Sequence, residues 1–191
     1  MRRLIIKVAT LMAILVAPLV ASAAGTVPSG PCRLIDPTTC PNATELAKSS
    51  GFAQALGHFA NSAKASYFRS NRSLSEQALT ALGGTPDNVV LLEDKRFLFA
   101  AAPPHDRGGD AAVVILNEFG QIEALGFSSF HCDVSCEDHR YLDFYVKKDT
   151  QDVTVLAALK TWGTSDKIHQ SVWRSDADDG LDGRTAVHVL P

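Results

Sequence analysis

Residues 110–148 decide the fold: DAAVVIL (110–116), NEFG (117–120), QIEALGFSSF (121–130), HCDVSCEDH (131–139) and RYLDFYVKK (140–148). Two apolar runs are joined by a four-residue turn, and Gly120 can take the positive φ that such a turn asks for. The last run alternates. Leu142, Phe144 and Val146 fall on one side, and Tyr141, Asp143, Tyr145 and Lys147 on the other, because successive side chains of a strand point to opposite faces. The stretch predicts three strands at the centre of an antiparallel sheet, over 112–116, 121–130 and 141–147, with the tyrosine side of the last one wet.

Working outward toward the N-terminus, Asn42 with Glu45 three residues on is a capping box for a helix over 43–67, weakened at Gly51 and Gly57. Ser73 and Glu76 repeat the pattern ahead of a helix that ends at Leu82, where Gly83-Gly84 supplies the stop. The period then becomes strand-like over 89–92 and 97–102, joined by the charged turn 93–96. Toward the C-terminus a helical spacing occupies 149–162, and 168–174 with 185–190 read as a closing hairpin around an acidic loop, 175–183. The order predicts a single α+β domain, 42–191. Its sheet is mostly antiparallel, of about six or seven strands, with two or three helices packed on one face.

The chain opens with Arg2, Arg3 and Lys7, continues through an apolar run to Val20 and reaches Ala21-Ser22-Ala23. These are the three parts of a secretory signal peptide (1–23), cleaved near Ala23, and the run is too short for a membrane span. A Pro-rich arm, 24–41, follows. Removal of the signal takes the basic count from 18 to 15 against 21 acids, a net charge of −6. That balance disfavours nucleic acid and anionic membranes and permits a basic partner. The location expected is the periplasm, or secretion.

Four cysteines remain, and an even count in an oxidising compartment favours disulfides. Cys32–Cys40 and Cys132–Cys136 each close a small polar loop and are the expected pairs, with cross-pairing as the alternative. His131, Cys132, Cys136 and His139 resemble zinc ligands in type, but adjacent ligands rarely reach one ion and paired cysteines cannot serve. Asp176, Asp178, Asp179 and Asp182 form an oxygen-rich loop that misses the calcium-loop pattern at one ligand and lacks its closing Glu. No metal and no cofactor is expected. His105 and Asp106, on a loop rich in Pro and Gly, could act as an acid–base pair. Nucleophile-elbow, Ser-x-x-Lys and nucleotide-binding glycine patterns are absent from the mature chain.

Without a catalytic motif, the reading is an exported binding protein, most concretely an inhibitor or immunity-type protein. It would meet a protein partner through Tyr141, Asp143 and Tyr145 or through Asp176, Asp178, Asp179 and Asp182. The alternatives are an exported hydrolase using His105 and Asp106 or the His131 to His139 loop, and a small-ligand carrier.

Overall fold

The computed structural model describes residues 30–105, 108–148 and 152–191. The expected signal peptide, residues 24–29 of the arm, and Asp106 lie outside them. Nine strands are present among the described residues: β1 (Lys64–Ala65), β2 (Arg72–Ser73), β3 (Thr85–Pro86), β4 (Val90–Leu91), β5 (Phe97–Ala102), β6 (Ala111–Leu116), β7 (Ile122–Ser129), β8 (Tyr141–Lys147) and β9 (Thr185–Leu190). The helices are α1 (Ala43–Lys48), α2 (Phe52–Ala60), α3 (Leu74–Leu82), α4 (Val153–Gly163) and α5 (Asp166–Ser171).

The fold is α+β, built on a seven-stranded sheet in the order β3-β5-β6-β7-β8-β9, with β4 also pairing β5. The β4–β5 and β6–β7 hairpins form as the apolar runs foretold. Gly120, with φ of 76°, turns the second one. It also lies so close to the Leu34 carbonyl that a Cβ there would stand 1.8 Å from its oxygen. The Cys32–Cys40 loop thereby seats against the turn. Both expected disulfides are present, with Cα separations of 4.4 Å for Cys32–Cys40 and 3.9 Å for Cys132–Cys136.

Three helices cover one face of the sheet, where Leu46, Phe52, Leu56 and Leu82 meet Phe99, Leu125, Phe127 and Tyr145. The predicted first helix is interrupted at Gly51, which adopts a left-handed φ of 86°, and it ends at Asn61 instead of reaching Tyr67. Asn61 and Ser62 are both left-handed, a conformation Asn tolerates at a helix C-terminus. The chain then runs irregularly through Tyr67. This segment is organised by Gln77 of α3, a side chain only 2% exposed. Its carbonyl oxygen accepts from the Tyr67 and Phe68 amides, and its amide donates to the Ala65 and Arg72 carbonyls.

The expected wet face of the third central strand is a correction: Asp143 and Tyr145 are 5% and 6% exposed. Helix α4 closes the opposite face, packing Val155, Leu159 and Trp162 on Leu142, Phe144 and Val146. The sheet is thus covered on both sides. Residues 168–174 are also corrected: α5 occupies Asp166–Ser171, and β9 pairs parallel with β8 instead of forming a hairpin. Parallel neighbours need a long crossover, and α4, α5 and the acidic loop provide it. That crossover is pinned by Arg140, whose side chain is fully buried. Its guanidinium donates to both Asp178 oxygens at 2.6 Å, to the Gly163 carbonyl and to Ser128 Oγ. No helix among the described residues is long and apolar enough to cross a membrane.

Candidate functional site

Alternate positions on β8 place Tyr141, Asp143 and Tyr145 in a row on the face toward α1–α3. Two histidines from distant parts of the chain complete the row. His188 enters from β9, where the parallel register sets it opposite Tyr145. His131 follows the end of β7 with a left-handed φ of 47°, which turns the chain into the Cys132–Cys136 loop. Each imidazole lies flat on a tyrosine: His131 on Tyr141 with centroids 4.0 Å apart, and His188 on Tyr145 at 4.6 Å.

Both rings turn Nε2 toward the carboxylate between them. His131 Nε2 lies 2.6 Å from Asp143 Oδ2, and His188 Nε2 lies 2.7 Å from Asp143 Oδ1. Burial alone would raise the Asp143 carboxyl, but the hydrogen bonds and charge of the two histidines bring it below its ordinary value. An ionised carboxylate can only accept, so each Nε2 carries hydrogen and donates. Nδ1 is then the ring nitrogen left to exchange a proton, and neither Nδ1 has a hydrogen-bond partner among the described residues.

Tyr67 closes the row. Its ring packs on Phe127 at 4.6 Å and on His131 at 5.3 Å. Its hydroxyl hydrogen-bonds that of Tyr145, and its carbonyl accepts from the Cys132 amide. Burial, and then the Asp143 charge, push the Tyr67 phenol far above its ordinary value, and burial also raises Tyr145. The pair therefore stays protonated. Tyr67, His131, Asp143, Tyr145 and His188 line an open cavity of about 570 Å³, whose walls also include Lys64, Ser66 and the loop residues Asp133 and Glu137.

A larger cavity of about 680 Å³ lies on the other side of the disulfide loop, between Trp173, Phe130 and Pro103. His105 lines it without a hydrogen-bond partner among the described residues, and Asp106, its expected partner, lies outside them. It is the roomier space and is lined by Arg69, His105, Asp110, Glu137 and Asp138, but the arrangement of two imidazoles on one buried carboxylate belongs to the Asp143 cavity. His139 is exposed and lines neither cavity. Cys132 and Cys136 are bonded to each other, so neither is a thiolate ligand. Among the described residues no group of three or more His, Cys, Asp or Glu is arranged to hold a metal ion.

The acidic loop is divided among partners within the chain. Asp176 pairs with Arg174 at 2.8 Å, Asp178 with Arg140 and His169, and Asp182 with Lys160 at 2.9 Å. The Asp179 carbonyl accepts from Arg184. Of the residues singled out from sequence, His131, Tyr141, Asp143 and Tyr145 come together in one site. Tyr67 and His188 are the members that sequence reading missed. No protein-family model, no curated protein and no solved structure matches the chain.

Proposed function

We propose that the chain is an exported hydrolase acting on a small polar substrate in the Asp143 cavity. One observation carries the reading: a single buried carboxylate fixes two imidazoles in one tautomer at an open cavity of about 570 Å³. Hydrolysis needs one group to take a proton from water and another to give one to the leaving group. Two histidines on the wall of the same cavity, each with Nε2 on Asp143 and Nδ1 left over, supply both, with Asp143 as the positioning residue. The two disulfides fit an extracellular protein, and the signal-like N-terminal sequence supports export to a periplasm.

The test is turnover of a panel of chromogenic esters, amides, glycosides and phosphate esters by the purified protein. His131→Gln and His188→Gln should each lower kcat by about 10²–10⁴-fold, the usual contribution of a general acid or base, with melting temperature little changed. No turnover of any class, or variants equal to wild type, would sink the hydrolase. Specific ligand retention in native mass spectrometry without turnover would make the same cavity that of a carrier. An inhibitor or immunity-type role is the second reading. It is favoured by the exposure of Asp182, whose side chain is 84% accessible, and is tested by capture of a specific partner from cell envelope that Asp176→Asn/Asp182→Asn no longer binds.

A further inference from the structure

The wall of the Asp143 cavity is acidic, and its carboxylates are not equally satisfied. Asp143 is held between two imidazoles. Glu137 and Asp133 meet only neutral hydroxyls, Glu137 Oε2 accepting from the Tyr141 phenol at 2.6 Å and Asp133 Oδ1 from Ser70. Neither has an ion pair among the described residues, and the second oxygen of each has no hydrogen-bond partner there. Against these three carboxylates the wall sets one ammonium, that of Lys64. Glu137 is placed beside the imidazole pair by three contacts. The Cys132–Cys136 bridge folds the loop back, the Glu137 amide donates to the Phe130 carbonyl at 2.8 Å, and the phenol that Glu137 holds belongs to the ring lying on His131 with centroids 4.0 Å apart. Asp133 follows His131 by two residues, and Ser70 ties it to the segment of Tyr67, whose ring packs on His131 at 5.3 Å.

We infer that the substrate is a small ester that carries a positive charge, an acyl compound bearing an ammonium group. The inference rests on the hydrolase reading and adds the substrate class. The imidazole pair marks where the bond breaks, and the carboxylates beside His131 select what the rest of the molecule brings. A carboxylate accepts a hydrogen bond from an ammonium more strongly than from a neutral donor, and Glu137 and Asp133 each keep one oxygen for it. The carbonyl carbon that water attacks is uncharged, so the positive charge sits elsewhere on the substrate, where the two carboxylates meet it. The same wall opposes phosphate esters and substrates that carry a carboxylate. A cavity of about 570 Å³ is of the size that holds a small organic ligand, and the net charge of −6 expected after signal removal draws cations toward the protein as a whole. In the reaction, the oxygen of water bonds to the acyl carbon and the bond from that carbon to the alcohol oxygen breaks. One imidazole takes the proton of water at Nδ1. The other, entering as imidazolium, gives one to the departing alcohol oxygen, and the products are the carboxylic acid and the alcohol.

The experiment measures kcat/KM of the purified protein on the para-nitrophenyl esters of Nα-acetyl-lysine, Nα-acetyl-norleucine and Nα-acetyl-glutamate, which share a leaving group and differ in charge. The lysine ester should be cleaved about three- to tenfold more efficiently than the norleucine ester at low ionic strength, the reach of one or two exposed ion pairs, and the glutamate ester least efficiently. Glu137→Gln and Asp133→Asn each keep an oxygen to accept from the hydroxyl now bound. Each should narrow the lysine preference, chiefly through KM, and added salt should narrow it in wild type. Cleavage of the norleucine ester as efficiently as the lysine ester, or of the glutamate ester more efficiently, overturns the substrate class and leaves the hydrolase standing. A lysine preference that survives both substitutions overturns the role of the two carboxylates and with it the argument from charge. Absence of turnover on all three and on the wider panel overturns both readings together.

Discussion

Replacing Asp143 by Asn tests the centre of the site without changing its shape. The carboxylate accepts two hydrogen bonds of 2.6 and 2.7 Å, and bonds to a charged group contribute about 1.5–3 kcal/mol each against about 1 for a neutral pair. Asparagine keeps one acceptor and substitutes a donor for the other, so one histidine must change tautomer to receive it. Removing a buried charge relieves part of the loss, because burial opposes ionisation here. The expected net destabilisation is about 1–2 kcal/mol near neutral pH. The sign of its pH dependence follows from the lowered carboxyl value of Asp143 in the folded state. Below the carboxyl's ordinary value the unfolded chain takes up the proton first. The contribution is therefore complete above that value and is lost as pH falls through the lower, folded one. Urea denaturation of wild type and Asp143→Asn at about pH 7 and about pH 3 checks this: the two curves should be separated at neutral pH and converge in acid. Equal stability at neutral pH, or a separation that persists unchanged in acid, would refute the electrostatic account of the site.

Two further substitutions probe the supports of that row. Gln77→Leu keeps the bulk but strips the Tyr67 and Phe68 amides and the Ala65 and Arg72 carbonyls of their partner. A loss of about 2–4 kcal/mol is expected, with faster amide exchange confined to residues 65–72 if the segment opens locally. Arg140→Met leaves Asp178, 13% exposed at its side chain, with His169 alone, and should cost about 3–5 kcal/mol, whereas the double variant with Asp178→Leu should recover much of it. Additive costs in that cycle, measured by thermal unfolding, would count against the pair as the pin of the crossover.

The sheet was legible because its signals are local. The NEFG turn, the Ser73 N-cap and the strand over 141–147 each need only a few neighbouring residues, and each reappears in the structure. What was hidden depends on contacts between distant residues. Residues 111–116 are buried at every position, and an apolar run without alternation is the mark of a strand covered on both faces. The regular alternation of β8 pointed the other way because its polar side is buried against Tyr67 and two histidines, not against water. Tyr67 and Tyr145 are 78 positions apart, and His188 and Asp143 are 45 apart. Their meeting required the chain to leave the helical path at Asn61 and β9 to pair parallel. Asn61-Ser62 was a readable stop, since Asn favours the left-handed cap. The parallel pairing had no comparable sign, because the acidic loop looks the same as a hairpin turn or as the end of a crossover.

A polar row on a central strand has a stricter meaning than alternation alone conveys. Once both faces of a sheet are covered, a carboxylate such as Asp143 cannot be left to solvent, and an unpaired charge there would cost several kcal/mol. It must be matched by donors from elsewhere in the chain. In strand β9, Thr-Ala-Val-His-Val-Leu, His188 shares its face with Ala186 and Leu190, and Leu190 is in the core. The His188 side chain is 42% exposed against 7% for Asp143, so the requirement is the carboxylate's: the two imidazoles supply its donors, and the tautomer that follows leaves Nδ1 of each for exchange with a ligand. Burial of Asp143 on β8 thus calls in two histidines from outside the strand and, by the same step, orients their rings through Nε2.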